Sequence, residues 1–508
     1  MTRARQPDPA AHRQSRTAAA GSATAQTRWS PYNHLFRSVH GPGLLYGALS
    51  NVLIELDDEA FAAVARVGDG SDPSALPHGL DTLLRERSFL ATEDEERGIL
   101  LARRYDRFAR DFASGTLCLT ICPTLACNLR CTYCFEAGRH LDAVMDEPTM
   151  DRLLAFIGTF GSTRRVAVAW YGGEPTLAWD VVEELTGRIR AQGPEYAGAG
   201  LITNGVLLDE AKCRRLDDLG ITQVQVTLDG PRTVHDARRV TGDGRPTFDR
   251  IVANLDALSC SGYRGSCAVR VNVDRTNTAA FVALRAELLE RYAGSRIFVY
   301  PGRVHTGAAG PYPLERCLDG DAWAGFHLEG YRDCGIVPLH GFYPRTDAAG
   351  CTATSGSSFV VGPGGELYTC WEDAGRRDMA VGSLHEGPAV SRPDLLARYA
   401  LSTDPHDDAE CAGCSVLPIC SGGCPNKHLR SRLSGEPGLE FCSPYRSGLP
   451  RLLDAYYDTF RTRELCAAVL GHPAEPGPGY RDVSPGGPAA ARIRAALGDP
   501  SGPSPAVY

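Results

Sequence analysis

The sequence predicts an α/β fold built on a parallel sheet, and three observations lead there. Apolar β-like runs alternate with helical patterns through the middle of the chain. Each run ends in a turn and is followed by a helix. Runs near 117–123, 166–171, 199–203, 222–228, 267–273 and 296–300 give about six strands.

In chain order, residues 1–28 are rich in Arg, Ala, Gln, Ser and Thr without periodic apolar positions, which predicts a disordered tail. Residues 29–105 read as a small separate unit. Gly43 to Tyr46 and Asn51 to Leu56 are strand-like runs joined by a turn, and Asp57 or Asp58 is placed to cap a helix carrying Phe61 and Val64. Leu80, Leu83 and Leu84 form an amphipathic stretch leading into Phe89 and Leu90. Further on, Met150, Leu153, Leu154, Ile157 and Phe160 recur at helical spacing, as do Val181, Leu185 and Ile189, so helices separate the strands. From about Gly471, Pro, Gly and Ala dominate apart from a short helix near Ala489 to Leu497, and that end is expected to be loose.

Cys127, Cys131 and Cys134 fall within eight residues, with Tyr133 before the last. Thiolates at that spacing can hold three irons of a cubane and leave the fourth open. They follow the first strand, and the C-terminal ends of strands are where α/β barrels keep their chemistry. Half a zinc site is the other use of such spacing. A second constellation comprises Cys351, Cys370, Cys411, Cys414, Cys420, Cys424 and Cys442. With no hydrophobic secretion signal near Met1, a reducing cytosol disfavours disulfides and metal is the natural use of these thiols. A zinc ribbon remains open for Cys411 to Cys424 taken alone. Gly172-Gly173-Glu174-Pro175, Thr203-Asn204-Gly205 and Asp229-Gly230 are each ordinary turns in isolation; their order at strand ends sets them apart.

Together these residues resemble the radical S-adenosylmethionine (SAM) enzymes. The resemblance implies a partial (β/α)6 TIM-like barrel over 106–330 with a 4Fe-4S cluster on Cys127, Cys131 and Cys134. It implies that Tyr133 lies near the adenine of SAM, and that the segment Gly172, Gly173, Glu174 and Pro175 meets its methionine amine. Thr203, Asn204 and Thr227 would lie on the ribose side, and Arg239, or else Arg238, would pair with the methionine carboxylate. The later cysteines, in residues 331–450, resemble the SPASM extension, which implies two auxiliary 4Fe-4S clusters. Cys411, Cys414, Cys420 and Cys442 would hold one, and Cys351, Cys370 and Cys424 the other. Tyr343 to Gly350 contain no cysteine, so the latter cluster is expected to have an open iron; the nearest earlier candidates to close it are Cys334, Cys317 and His340. Residues 29–105 resemble the winged-helix element with which ribosomal peptide maturases grip a leader, an ordinary packing domain being the other reading. Residues 451–508 are expected to be a C-terminal helix and flexible tail.

The implied activity is that of a radical SAM oxidoreductase, a peptide maturase that takes hydrogen from a ribosomal precursor and installs a thioether or carbon–carbon crosslink or a related change. Glu372 and Asp373, next to Cys370 and Trp371, are the candidate proton acceptors, expected in an exposed loop. Relatives that make formylglycine have an aspartate directly after this cysteine, whereas Trp371 stands here. Sulfatase maturation, or another protein or small-molecule oxidation, is the alternative, and a zinc-bound peptide scaffold is the third reading. The expected partners are a precursor peptide with its leader and a reducing donor such as flavodoxin or ferredoxin. At 508 residues, 43% apolar and net charge -8, the chain suits about three domains and gives no reason to invoke nucleic acid. No apolar span is long enough for a bilayer, so the location is expected to be cytoplasmic.

Overall fold

Six strands, Thr116–Ile121, Arg165–Trp170, Glu195–Thr203, Ile221–Thr227, Ser266–Val273 and Ile297–Arg303, pair in parallel in chain order. This computed structural model describes residues 27–112, 115–139, 142–160, 164–305, 312–346, 351–420, 422–434, 439–474 and 477–498. The tail expected over 1–28 lies outside them except for its last two residues. Alternate residues Leu117, Leu119 and Ile121 of the first strand are buried with Met150, Leu153 and Ile157 of the helix Glu147–Thr159. Each such side chain contributes about 1.5–3 kcal/mol by leaving water. Asp146 starts that helix by accepting from the N–H of Thr149 at 2.9 Å. The α/β class and the mostly parallel sheet are as the sequence predicts, and six strands in an open sheet fit a partial barrel.

Beyond the first strand the sheet continues into the cysteine-rich region. Ser358–Val361 pairs in parallel with the first strand, Ser358 opposite Cys118, and then antiparallel with Glu366–Tyr368, which pairs with Gly382–Ser383. Cys370, two residues past the strand Glu366–Tyr368, is therefore tied to the barrel by backbone hydrogen bonds.

At the N-terminus, Asn33–Arg37, Gly43–Gly47 and Val52–Leu56 form an antiparallel meander. Leu45, Ile54 and Leu56 pack against the helices Asp58–Gly68 and His78–Glu86. Leu44, Tyr46 and Leu53, pointing the other way, pack with Val416, Leu417 and the helix Tyr445–Val469. Asp57, one of the two expected caps, accepts from Ala60 N at 2.8 Å.

The C-terminal end differs from its expectation. Tyr480–Asp482 pairs antiparallel with Val52–Leu56 as the fourth strand of the N-terminal sheet, Val483 is fully buried, and the helix Pro488–Ala496 packs on the same core. Proline and glycine composition suggests looseness, but three backbone-paired residues and one buried valine suffice to dock a tail. Positions 105, 330 and 451 lie inside the helices Glu93–Phe112, Gly320–Cys334 and Tyr445–Val469. Among the described residues no helix is long and apolar enough to cross a membrane.

Candidate active site

The three-cysteine loop leaves the first strand and is clamped by the turn that ends the second. Gly173 N donates to Thr124 O at 3.3 Å and Glu174 N to Ala126 O at 2.9 Å. Only glycine permits this approach, since a Cβ on Gly173 would stand 2.3 Å from Ala126 O and 2.4 Å from Leu125 O. Gly172 also has φ of 112°, in the left-handed region.

Glu174 is fully buried, and its carboxylate accepts from Thr176 N at 3.1 Å, Thr203 Oγ1 at 2.6 Å and Asn204 N at 2.7 Å. Pro175 opens a short turn just after it. Asn204 in turn donates to Asn128 Oδ1 at 2.7 Å and faces Cys127 Sγ at 4.0 Å. Gly172, Gly173, Glu174, Thr203 and Asn204 thus meet at the mouth of the sheet beside Cys127, and Thr227 is buried at the end of the fourth strand.

The other flank is held by the segment 238–241. Thr132 N donates to Arg238 O at 3.0 Å and Arg130 N to Val240 O at 2.8 Å. The Tyr133 hydroxyl donates to Asp229 Oδ2 at 2.5 Å and accepts from Arg239 at 2.8 Å and Asn272 Nδ2 at 3.0 Å. Arg238, the second choice for a carboxylate partner, is committed elsewhere: it pairs with Asp274 at 2.7 Å and lies over the Tyr133 ring. Arg239 is buried beside Cys131 and Cys127, and among the described residues its Nε has no partner. Asp229 and Asn272 complete this network, and the signal for Asn272 is a polar residue amid the apolar strand Ser266–Val273.

Burial pushes the Cys127 and Cys134 thiols up to about 12, with Cys131 adding to both rises, and burial raises Cys131 too. Three adjoining thiolates therefore need cationic compensation, which an iron cluster supplies. The unpartnered Arg239 Nε beside them is a donor waiting for an anionic group, as the carboxylate of SAM is. The donor set thus fits both cofactors.

The later cysteines lie in two places. Cys411, Cys414, Cys420 and Cys442 line one small cavity with Val416, Leu417 and Phe441. Cys370, Cys351 and Cys424 lie near enough to act on one another in sequence, Cys351 on Cys370 and Cys424 on Cys351. Among the described residues no three His, Cys, Asp or Glu side chains converge as on a single ion. Cys334 is exposed at the end of its helix, Cys317 packs with Val304 and Tyr312, and His340 lies beside Arg345.

Glu372 and Asp373 are buried, contrary to the exposed loop expected, because Trp371–Asp373 forms a tight turn packed beneath the helix Pro425–Ser434. Asp373 is bound to the Tyr399 hydroxyl and to Asn426 Nδ2 at 3.1 Å. Glu372 faces His305 at 3.4 Å, has no partner for Oε2 among the described residues, and is shifted toward its protonated form by burial. Glu136, two residues after Cys134, is a buried acid without a signal in the sequence; burial pushes it up to about 8.

Residues 121–285 match the sequence profile of the Radical SAM superfamily. Over 327 residues the chain is 25% identical to a serine-type anaerobic sulfatase-maturating enzyme of Klebsiella aerogenes, covering 60% of this chain and 78% of that one. Over 355 residues it is 25% identical to the mycofactocin maturase MftC of Mycolicibacterium smegmatis, covering 63% and 81%. In fold it is similar to native anSMEcpe solved with bound AdoMet and Kp18Cys peptide, with a TM-score of 0.51 at 18% identity over 68% of this chain and 99% of that one. The clamped cysteine loop, the Glu174 turn and the Tyr133 network all lie within or against the matched stretch, and the chain carries a radical SAM domain, a class that works with SAM and a 4Fe-4S cluster.

Proposed function

We propose that this enzyme is a peptide maturase that removes hydrogen from a ribosomally made precursor and installs a thioether or carbon–carbon crosslink or a related side-chain change. What supports this reading is ten cysteines that read as three sets. One lies at the barrel mouth, and Arg139 just past it donates to the backbone of Glu372 at 2.6 Å, beside the second. In this reading Cys127, Cys131 and Cys134 hold the SAM cluster. Cys411, Cys414, Cys420 and Cys442 hold one auxiliary 4Fe-4S cluster, and Cys351, Cys370 and Cys424 hold the other. When bound, these groups supply one-electron cleavage of SAM, a hydrogen-abstracting radical and a sink for the remaining electron.

The chain's own residues bind and aim. The backbone of Gly172 and Gly173, held by Glu174 and Pro175, receives the methionine amine, and Arg239 donates its free Nε to the carboxylate. Tyr133, its hydroxyl fixed on three sides, presents a rigid ring to the adenine, and Thr203, Asn204 and Thr227 flank the ribose. Glu372 is the proton acceptor, being buried with a free oxygen; Asp373, saturated by Tyr399 and Asn426, positions the turn.

The N-terminal sheet is the leader-binding unit. Its two edges are Asn33–Arg37 and Tyr480–Asp482. The five-residue edge is the longer template for an added peptide strand.

A second reading, sulfatase maturation, is favoured by the relative of that name. Mass spectrometry of a precursor co-expressed with the enzyme separates them: a crosslink removes two hydrogens from a leader-bearing peptide. Oxidation of a sulfatase-derived peptide without any leader would favour the second reading, and unchanged precursor mass would sink the first. Anaerobically purified protein is expected to hold about twelve irons.

A further inference from the structure

Between the barrel and the cysteine-rich extension lies a cavity of about 290 Å3. One wall is the C-terminal end of the sixth parallel strand, with Arg303 and then His305, the end of such sheets where ligands bind. Cys317 on the same wall packs in one cluster with Tyr133 of the three-cysteine loop. The opposite wall is Lys427, three residues past Cys424. The cavity therefore runs between the SAM loop and an auxiliary thiol set.

Its charges are mostly cancelled. Arg275 pairs with Asp319 at 2.9 Å, and Arg303 pairs with Glu440 at 3.2 Å. Glu440 is also held by the N–H of Gly320 at 2.9 Å, and Glu315 is exposed at the rim. Lys427 is the exception. It is only 5% exposed, yet among the described residues its ammonium has no hydrogen-bond acceptor or carboxylate in contact; Cys424, Glu372 and Glu440 act on it only from further away. His305 supplies no charge, being pushed down to about 3 by burial and by Lys427, Arg270 and Arg303. A buried cation without a partner is costly, and an anion entering the cavity would relieve that cost.

We infer that Lys427 is a carboxylate anchor, and that the cavity takes an acidic residue of the substrate peptide, either an Asp or Glu side chain or the C-terminal carboxylate. This rests on the peptide-maturase reading and narrows its substrate class. The anchor would hold the acidic group near the second thiol set while a neighbouring residue faces the SAM loop.

The test uses SAM-loaded holoenzyme without reductant, so that binding is read without turnover. Ligand-observed NMR is applied to three probes: N-acetyl-glutamate N-methylamide, N-acetyl-alanine, and neutral N-acetyl-glutamine N-methylamide. At least one carboxylate probe is expected to bind about tenfold or more tightly than the neutral one. Which of the two binds identifies the side chain or the C-terminus as the source. Lys427→Met should erase the preference, and Lys427→Arg should restore it. Equal binding of all three probes, or a preference that survives Lys427→Met, would overturn the anchor. Should Lys427→Met fail to fold or load iron, Glu440→Gln decides instead: freeing Arg303 must tighten carboxylate binding several-fold, and unchanged affinity overturns the proposal. Carboxylate binding by an enzyme that leaves every precursor unmodified would retain the anchor and discard the maturase reading. Modified precursors without any carboxylate preference would discard the anchor alone.

Discussion

The carboxylate of Glu174 and the backbone N–H of Asn204 meet at 2.7 Å in a fully buried site, joining the turns that end the second and third barrel strands. The same carboxylate holds Thr176 and Thr203, and Asn204 passes the constraint on to Asn128, beside Cys127. One acid thus fixes the floor under the cysteine loop. Glu174→Ala orphans several buried donors at about 1–3 kcal/mol each. The expected result is a clearly lowered melting temperature and loss of SAM-dependent activity; a variant melting with the wild type would contradict this role.

Gly173→Ala tests the clamp itself. The added methyl meets two backbone carbonyls, which cannot swing aside as a flexible side chain can. The loop must shift, and iron bound by the first thiol set is expected to fall. Gly158→Ala, where a Cβ meets nothing, is the control and should leave iron content unchanged.

Tyr133→Phe removes the hydroxyl shared by Asp229, Arg239 and Asn272. The ring remains, so SAM is expected to bind several-fold more weakly through loss of Arg239 positioning, with a small loss of stability of about 1 kcal/mol. Calorimetric titration of SAM checks this, and unaltered affinity would count against it.

His235 predicts a pH dependence. Burial and the neighbouring Arg239 and Arg238 push it down from 6.5 to about 3. The folded protein therefore binds fewer protons than the unfolded chain between those values. Its stabilising contribution is complete above pH 6.5 and is lost as pH falls toward about 3, at roughly 1.4 kcal/mol per unit. In urea titrations from pH 7 to 5, wild type should lose stability faster than His235→Gln. Parallel curves would show that this histidine is not the cause.

Cys334→Ala is expected to keep its full iron and sulfide count, because Cys334 is exposed at a helix end. Loss of about four irons would instead identify it as the missing ligand of the set Cys351, Cys370 and Cys424.

The cysteine spacings, the six strand runs and the turns at their ends are local features, so the sequence alone determined the α/β class, the radical SAM chemistry and the positions of the candidate ligands. Periodicity and turn chemistry act over a few residues and survive without partners. Only the tertiary structure decided that Glu372 is buried against His305, that Arg238 is committed to Asp274 while Arg239 lies beside the thiols, and that Tyr480–Asp482 completes the N-terminal sheet. Burial and charge pairing are set by residues far apart in the chain, and a short Gly- and Pro-flanked strand reveals itself only when another strand supplies its hydrogen bonds.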